Sequence, residues 1–108
     1  MARSKKSAAP VFAALGDETR LSVVARLCAR GPQSIVRLTR GTNVSRQAIT
    51  KHLHALARAG IVASRRDGRE RIWEVRTGRL DEARRYLDQI SAGWDDAIAR
   101  LRAFVEEG

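Results

Sequence analysis

Most of the chain repeats its apolar positions every three or four residues, and the breaks in that period mark its elements. Pro10 predicts the start of a short helix through Val11, Phe12, Ala13, Ala14 and Leu15, which Gly16 stops. Asp17 is placed to cap a second helix, with Glu18 favourable at its N-terminal dipole. Leu21, Val24, Ala25, Leu27 and Cys28 give that helix an apolar stripe, and Gly31-Pro32 ends it. Ser34 is expected to cap a third, short helix carrying Ile35, Val36 and Leu38, closed by Gly41. After Thr42-Asn43-Val44, Ser45 opens a fourth helix on which Ile49, Leu53, Leu56 and Ala57 form the inward stripe. Gly60 stands where that helix needs a left-handed residue to stop.

Beyond Gly60 the period changes from helical to two. Ile61 to Arg65 and Arg71 to Val75 are short β-compatible runs, and Asp67-Gly68 between them is a hairpin-turn signal because both residues tolerate positive φ. From Leu80 the helical period returns and holds: Leu80, Ala83, Leu87, Ile90, Trp94, Ala97, Leu101 and Phe104 keep a 3.5-residue repeat. Asp81–Arg85 and Asp96–Arg100 lie outside that stripe at favourable helical spacing. A helix of about 28 residues would be about 42 Å long, more than the rest of the chain can cover. Its distal half, Trp94 to Phe104, therefore predicts a second copy of the chain. The expected homodimer interface is Phe12, Leu15, Leu87, Ile90, Trp94, Leu101 and Phe104.

The polar side of the fourth helix carries the candidate chemistry. Arg46, Gln47, Thr50, Lys51, His54 and Arg58 share it, and no carboxylate interrupts them. One apolar and one cationic, amide- and hydroxyl-bearing side suit a helix that lies on a polyanion; an ordinary amphipathic surface helix is the alternative for this segment taken alone. The neighbours favour the first. A short helix joined to it by about four residues including a glycine has helix-turn-helix proportions, and the hairpin after it carries Arg65, Arg66, Arg69 and Arg71, more arginine than a structural hairpin needs. The candidate DNA contacts are Ser45, Arg46, Gln47, Thr50, Lys51, His54, Arg66 and Arg69. Gln47 is the foremost base reader, since an amide can bind adenine at two atoms.

Charge and size agree. The chain has 108 residues and a formal net charge of +9. Residues 1–60 hold eleven Lys/Arg against two acids, and residues 61–108 hold ten against ten. Within the second half, 61–79 has six basic and three acidic residues and 80–108 has four and seven. The basic body points to nucleic acid as partner. No apolar run of about 18 residues exists, so no membrane span is expected, and the basic start, residues 1–9, reads as a disordered arm without a signal peptide's apolar stretch, which points to the cytoplasm. A single cysteine excludes an internal disulfide and suits a reducing compartment. On the inward stripe, Cys28 is expected to be a buried, inert thiol.

Taken together, the runs FAALGDETRLSVVARL, NVSRQAITKHLHALARAGIV and RRDGRERIWEV resemble the ArsR/SmtB family of winged-helix repressors over roughly residues 10–106. The resemblance implies a mainly α winged helix-turn-helix in the order α-α-α-α-β-β-α: a helix-turn-helix at 34–60, its recognition helix at 45–59, a wing hairpin at 61–76 and a C-terminal dimerisation helix at 79–107. It implies a homodimer bound to double-stranded DNA at a pseudo-palindromic operator, and release by a signal. The chain departs from metal-sensing members. No cysteine stands on Ser34–Arg40, and the C-terminal helix has Asp88, Asp95, Asp96, Glu106 and Glu107 but no histidine. His52 and His54, two residues apart, face different ways. No metal or other cofactor is expected; a small-molecule inducer near Trp94 and Phe12 is left open, since apolar residues there could simply pack.

Two alternatives differ in kind. A non-specific architectural DNA binder would share the charge but bind random duplex equally well, and a repressor with a non-standard metal or small-molecule site would share the fold. An enzyme has no support: there is no Ser/His/Asp set, no glycine-rich phosphate loop and no metal-ligand cluster.

Overall fold

In the computed structural model, residues 7–107 are described, and the first six residues of the expected arm lie outside them. The elements run α1 (Ala9–Leu15), α2 (Glu18–Arg30), β1 (Gln33–Ser34), α3 (Ile35–Thr39), α4 (Arg46–Arg58), β2 (Val62–Asp67), β3 (Glu70–Val75) and α5 (Thr77–Glu107). Ala9, expected in the arm, is the first residue of α1, and α5 begins two residues before the expected start.

The caps follow from side-chain chemistry. Asp17 accepts from the Arg20 amide at 3.0 Å, Ser34 from that of Arg37 at 3.3 Å and Ser45 from that of Ala48 at 3.1 Å, each satisfying a first-turn N–H with no partner inside its helix. At the other end of α4, the Gly60 amide donates to the Ala57 carbonyl at 2.9 Å and the Ile61 amide to the Leu56 carbonyl at 3.0 Å. This paired closure requires a left-handed residue, and Gly60 supplies it with φ +78°. The buried Ile61 and Leu56 then meet across the cap.

The core gathers one face of each element: Val11 and Ala14 of α1, Val23, Val24 and Leu27 of α2, Leu38 of α3, Ile49, Leu53 and Leu56 of α4, then Ile61, Val62, Trp73 and Ala83. On α2 this corrects the expected stripe. Val24 and Leu27 are buried as expected, but Val23 completes the face, whereas Leu21, Ala25 and Cys28 point outward. Cys28 is exposed, contrary to the buried thiol expected for it. Two apolar stripes compete on α2, and packing against α1, α4 and β3 selects the one that includes the two valines.

The sheet is three-stranded and antiparallel in the order β1-β3-β2, with Gln33 opposite Trp73 and Ser34 opposite Ile72. The two-residue β1 was not expected. In the hairpin, Val62 pairs with Val75 and Asp67 with Glu70. Gly68 and Arg69 are therefore the turn, not Asp67-Gly68. Positive φ occurs at Gly68 (+65°) and at no non-glycine residue among those described, as in a II′ turn with glycine at its first central position.

α5 leaves this body. Arg79 anchors its start, donating to the Ala59 carbonyl at 3.4 Å, the Ser7 carbonyl at 3.0 Å and Glu82 Oε2 at 2.6 Å. Beyond the buried Ala83 and the half-buried Leu80, every residue of the helix but the half-buried Ile98 is exposed. The radius of gyration is 18.7 Å and the extents are 67 × 43 × 20 Å, against about 13 Å for a compact chain of this length.

Candidate nucleic-acid interface

Burying Ile49, Leu53 and Leu56 turns the opposite side of α4 outward by helical geometry alone. Ser45, Arg46, Gln47, Lys51, His54 and Arg58 are exposed and Thr50 is half-buried. Arg46, Gln47 and Lys51 have no side-chain partner among the described residues, so their donors are unspent. Thr50 differs: its hydroxyl donates to the Arg46 carbonyl at 2.8 Å, a back-bond within the helix that leaves it a methyl group and an acceptor. The Ser45 oxygen holds the helix cap, and its hydrogen stays free to donate outward. The His54 ring tilts against the buried Trp73 of β3 with centroids 5.9 Å apart, linking the recognition-helix candidate to the wing.

His52 turns away from that surface. Half-buried, it places Nδ1 3.8 Å from Asp17 Oδ2, so α4 is tied to the cap of α2. Asp17 is held below its ordinary value of 3.8, chiefly by the Arg20 backbone N–H; partial burial opposes this, and the charges of His52 and Arg20 add to it.

The wing arginines divide into two kinds. Arg65 approaches Glu74 at 3.7 Å and Arg71 donates to Ser64 Oγ at 2.8 Å, so both serve the sheet. Arg66 and Arg69 are exposed and have no partner among the described residues. Arg66 also stands directly across the ladder from Arg71, a like-charge pairing that costs stability until an anion lies between them.

A second exposed surface is apolar. Leu87 is 51% exposed, Ile90 48%, Trp94 66%, Leu101 61% and Phe104 75%, values expected of polar surface positions rather than of a core stripe. Of the seven expected interface residues, only Phe12 and Leu15 pack against the core of their own chain. Phe12 meets Tyr86 with ring centroids 6.0 Å apart, and the cleft between α1 and α5 is lined by Ala9, Phe12, Tyr86 and Gln89. Tyr86 and the 66%-exposed Val105 extend this surface beyond what the heptad pattern marked, because both lie one position off its stripe. Among the described residues, no three His, Cys, Asp or Glu side chains converge as metal ligands and no helix is long and apolar enough to cross a membrane.

Comparison with known proteins agrees with this geometry. A family model described as a helix-turn-helix domain matches residues 15–65. The HTH-type transcriptional regulator Rv2034 of Mycobacterium tuberculosis is 36% identical over 93 residues, covering 86% of this chain and 83% of that protein. Among solved structures, an ArsR-like transcriptional regulator from Rhodococcus sp. RHA1 is 41% identical with a TM-score of 0.74, covering 90% of this chain and 91% of that one. The crystal structure of an ArsR family transcriptional regulator, RHA00566, is 26% identical with a TM-score of 0.73 over 88% of this chain and 97% of that one.

Proposed function

The chain belongs to the ArsR family of helix-turn-helix transcriptional regulators, and from that premise we propose that it is a homodimeric, sequence-specific repressor working in the cytoplasm. The observation that carries this is the acid-free outer face of α4, set beside a wing whose Arg66 and Arg69 have no partner of their own among the described residues. In this reading α4 enters the major groove. Gln47 reads adenine through its amide, Arg46 reads guanine, and Thr50 contributes its methyl group and acceptor. Ser45, Lys51 and His54 hold phosphates and fix the register, while Arg66 and Arg69 grip the backbone beside the half-site.

The dimer forms through α1 and α5, with Phe12, Leu15, Leu87, Ile90, Trp94, Leu101 and Phe104 covered by their counterparts in a second copy. A two-fold axis through α5 presents two recognition helices to one duplex, and occupancy of the promoter by that dimer excludes transcription. Selecting bound genomic fragments tests this reading. It expects a pseudo-palindrome with half-sites about 10 base pairs, one helical turn, or a multiple apart. Equal binding of random duplex would replace it with architectural binding.

A further inference from the structure

A second concentration of arginine lies outside α4 and the wing. The C-terminal half of α2 and the length of α3 border a surface groove lined by Arg26, Arg30, Arg37 and Arg40 and ending at Gly41 and Thr42, the turn that leads into α4. No carboxylate lines it. Arg26 is structural: its guanidinium donates to the Leu38 carbonyl and, at 2.9 Å, to the Arg37 carbonyl, satisfying the open end of a five-residue helix. Arg30, Arg37 and Arg40 have no side-chain partner among the described residues. Asp17 and Glu18 stand at the far end of α2, and Asp67 and Glu70 of the hairpin line a neighbouring cleft that Arg37 and Arg40 also border, without an ion pair to either arginine among the described residues. Guanidinium groups gathered on one small surface without ion-pair partners repel one another, and their planar donors match phosphate oxygens two at a time.

The position of the groove selects the anion. In a helix-turn-helix the first helix crosses the nucleic-acid backbone while the second enters the groove. Here that first helix is α3, and the groove is continuous with its turn. We propose that the α2–α3 groove is a second DNA-backbone site, in which Arg30, Arg37 and Arg40 neutralise phosphates reached by neither the recognition helix nor the wing. The proposal rests on α4 being the recognition helix. It makes the footprint of each protomer wider than its base contacts.

The test is the salt dependence of operator binding by the full chain and by the triple variant Arg30→Gln/Arg37→Gln/Arg40→Gln. Arg30→Gln alone serves as the variant least able to disturb α3. Each phosphate left unneutralised lowers the slope of log K against log salt by about 0.9, so a drop of up to about 2.7 per protomer is expected for the triple variant. The preference for operator over random duplex should survive. A control with the same charge change on α5, Arg84→Gln/Arg100→Gln/Arg102→Gln, should keep the wild-type slope. An unchanged slope in both groove variants, with operator preference intact in the wild type, overturns this proposal alone. Absence of operator preference in the wild type overturns the reading of α4 instead. Stabilisation of the wild type by pyrophosphate, abolished in the triple variant while its DNA slope is unchanged, would overturn the DNA assignment in favour of a small phosphorylated ligand.

Discussion

In the proposed docking, Gln47 and Arg69 would act on DNA in two different ways, and each has its own measurement. Gln47 is exposed on the first turn of α4 with its amide unspent. Gln47→Ala should therefore lose about 1–3 kcal/mol of discrimination at the base pair it reads, while binding to random duplex stays close to wild type. A sequence preference identical in the two proteins would remove Gln47 from the base-reading set. Arg69 sits in the hairpin turn, and the proposed docking places it on the phosphate backbone; Arg69→Ala should weaken binding to all duplexes alike and lower the salt slope by about 0.9 per protomer. Asp17 acts on stability instead. Its folded carboxyl lies below the ordinary value of 3.8, first because the Arg20 amide donates to it. A depressed folded value means that the carboxylate's contribution is complete above the unfolded value and is lost as pH falls through the folded one. Asp17→Asn keeps an oxygen acceptor but cannot ionise. The melting-temperature gap between wild type and this variant should persist down to about pH 4 and close below it. A gap that does not change with acidification would contradict the cap's electrostatic role.

At the scale of elements, what could be read from sequence depended on whether the determining interaction is local. The caps at Asp17, Ser34 and Ser45 and the stop at Gly60 were legible because a side chain and a backbone group within a few residues decide them. The stripe of α4 was legible because only one apolar face exists. α2 offered two, and the choice between Leu21-Ala25-Cys28 and Val23-Val24-Leu27 is made by α1, α4 and β3, which no window of sequence contains. β1 was hidden for the same reason: two polar residues have no period, and they become a strand only because β3 passes beside them. The turn shifted by one residue because Asp67 keeps negative φ and pairs with Glu70. The candidate site fared similarly. The outward face of α4 follows from its stripe, but the division of the wing into sheet-bound Arg65 and Arg71 and partnerless Arg66 and Arg69 depends on cross-strand register. Gly60 tests a local determinant with a tertiary addition. A Cβ there would sit 2.9 Å from Arg79 Cγ on a backbone with φ +78°. Gly60→Ala should cost about 1–2 kcal/mol from the left-handed conformation alone, measured by urea unfolding. Displacing Arg79 from the Ala59 carbonyl, which anchors α5, adds to that loss. A neutral result would show that the end of α4 can close without the left-handed residue.

For the whole molecule, the decisive feature is how far α5 outruns the body that holds it. Its 31 residues span about 46 Å, yet within the chain Ala83 is its only buried residue, and Leu87, Ile90, Trp94, Leu101, Phe104 and Val105 are about half exposed or more. Contiguous apolar surface of that extent is the mark of an interaction face, and the unbroken 3.5-residue repeat fits the helical partner proposed above. A second α5 has the matching repeat, and the α1–α5 cleft lies beside it to receive more of the same surface. Because Trp94 and Leu101 contribute nothing to the single-chain core, Trp94→Glu/Leu101→Glu should leave helix content unchanged by circular dichroism while light scattering reports a monomer. The same variant should bind an isolated half-site as the wild-type protomer does and lose on the order of 10²-fold or more on the full operator, since the second half-site is no longer delivered at high effective concentration. Two results would sink this account: a dimer that persists in the double variant, placing the interface elsewhere, or a monomer that keeps full operator affinity, for then α5 would not set the spacing of the two recognition helices.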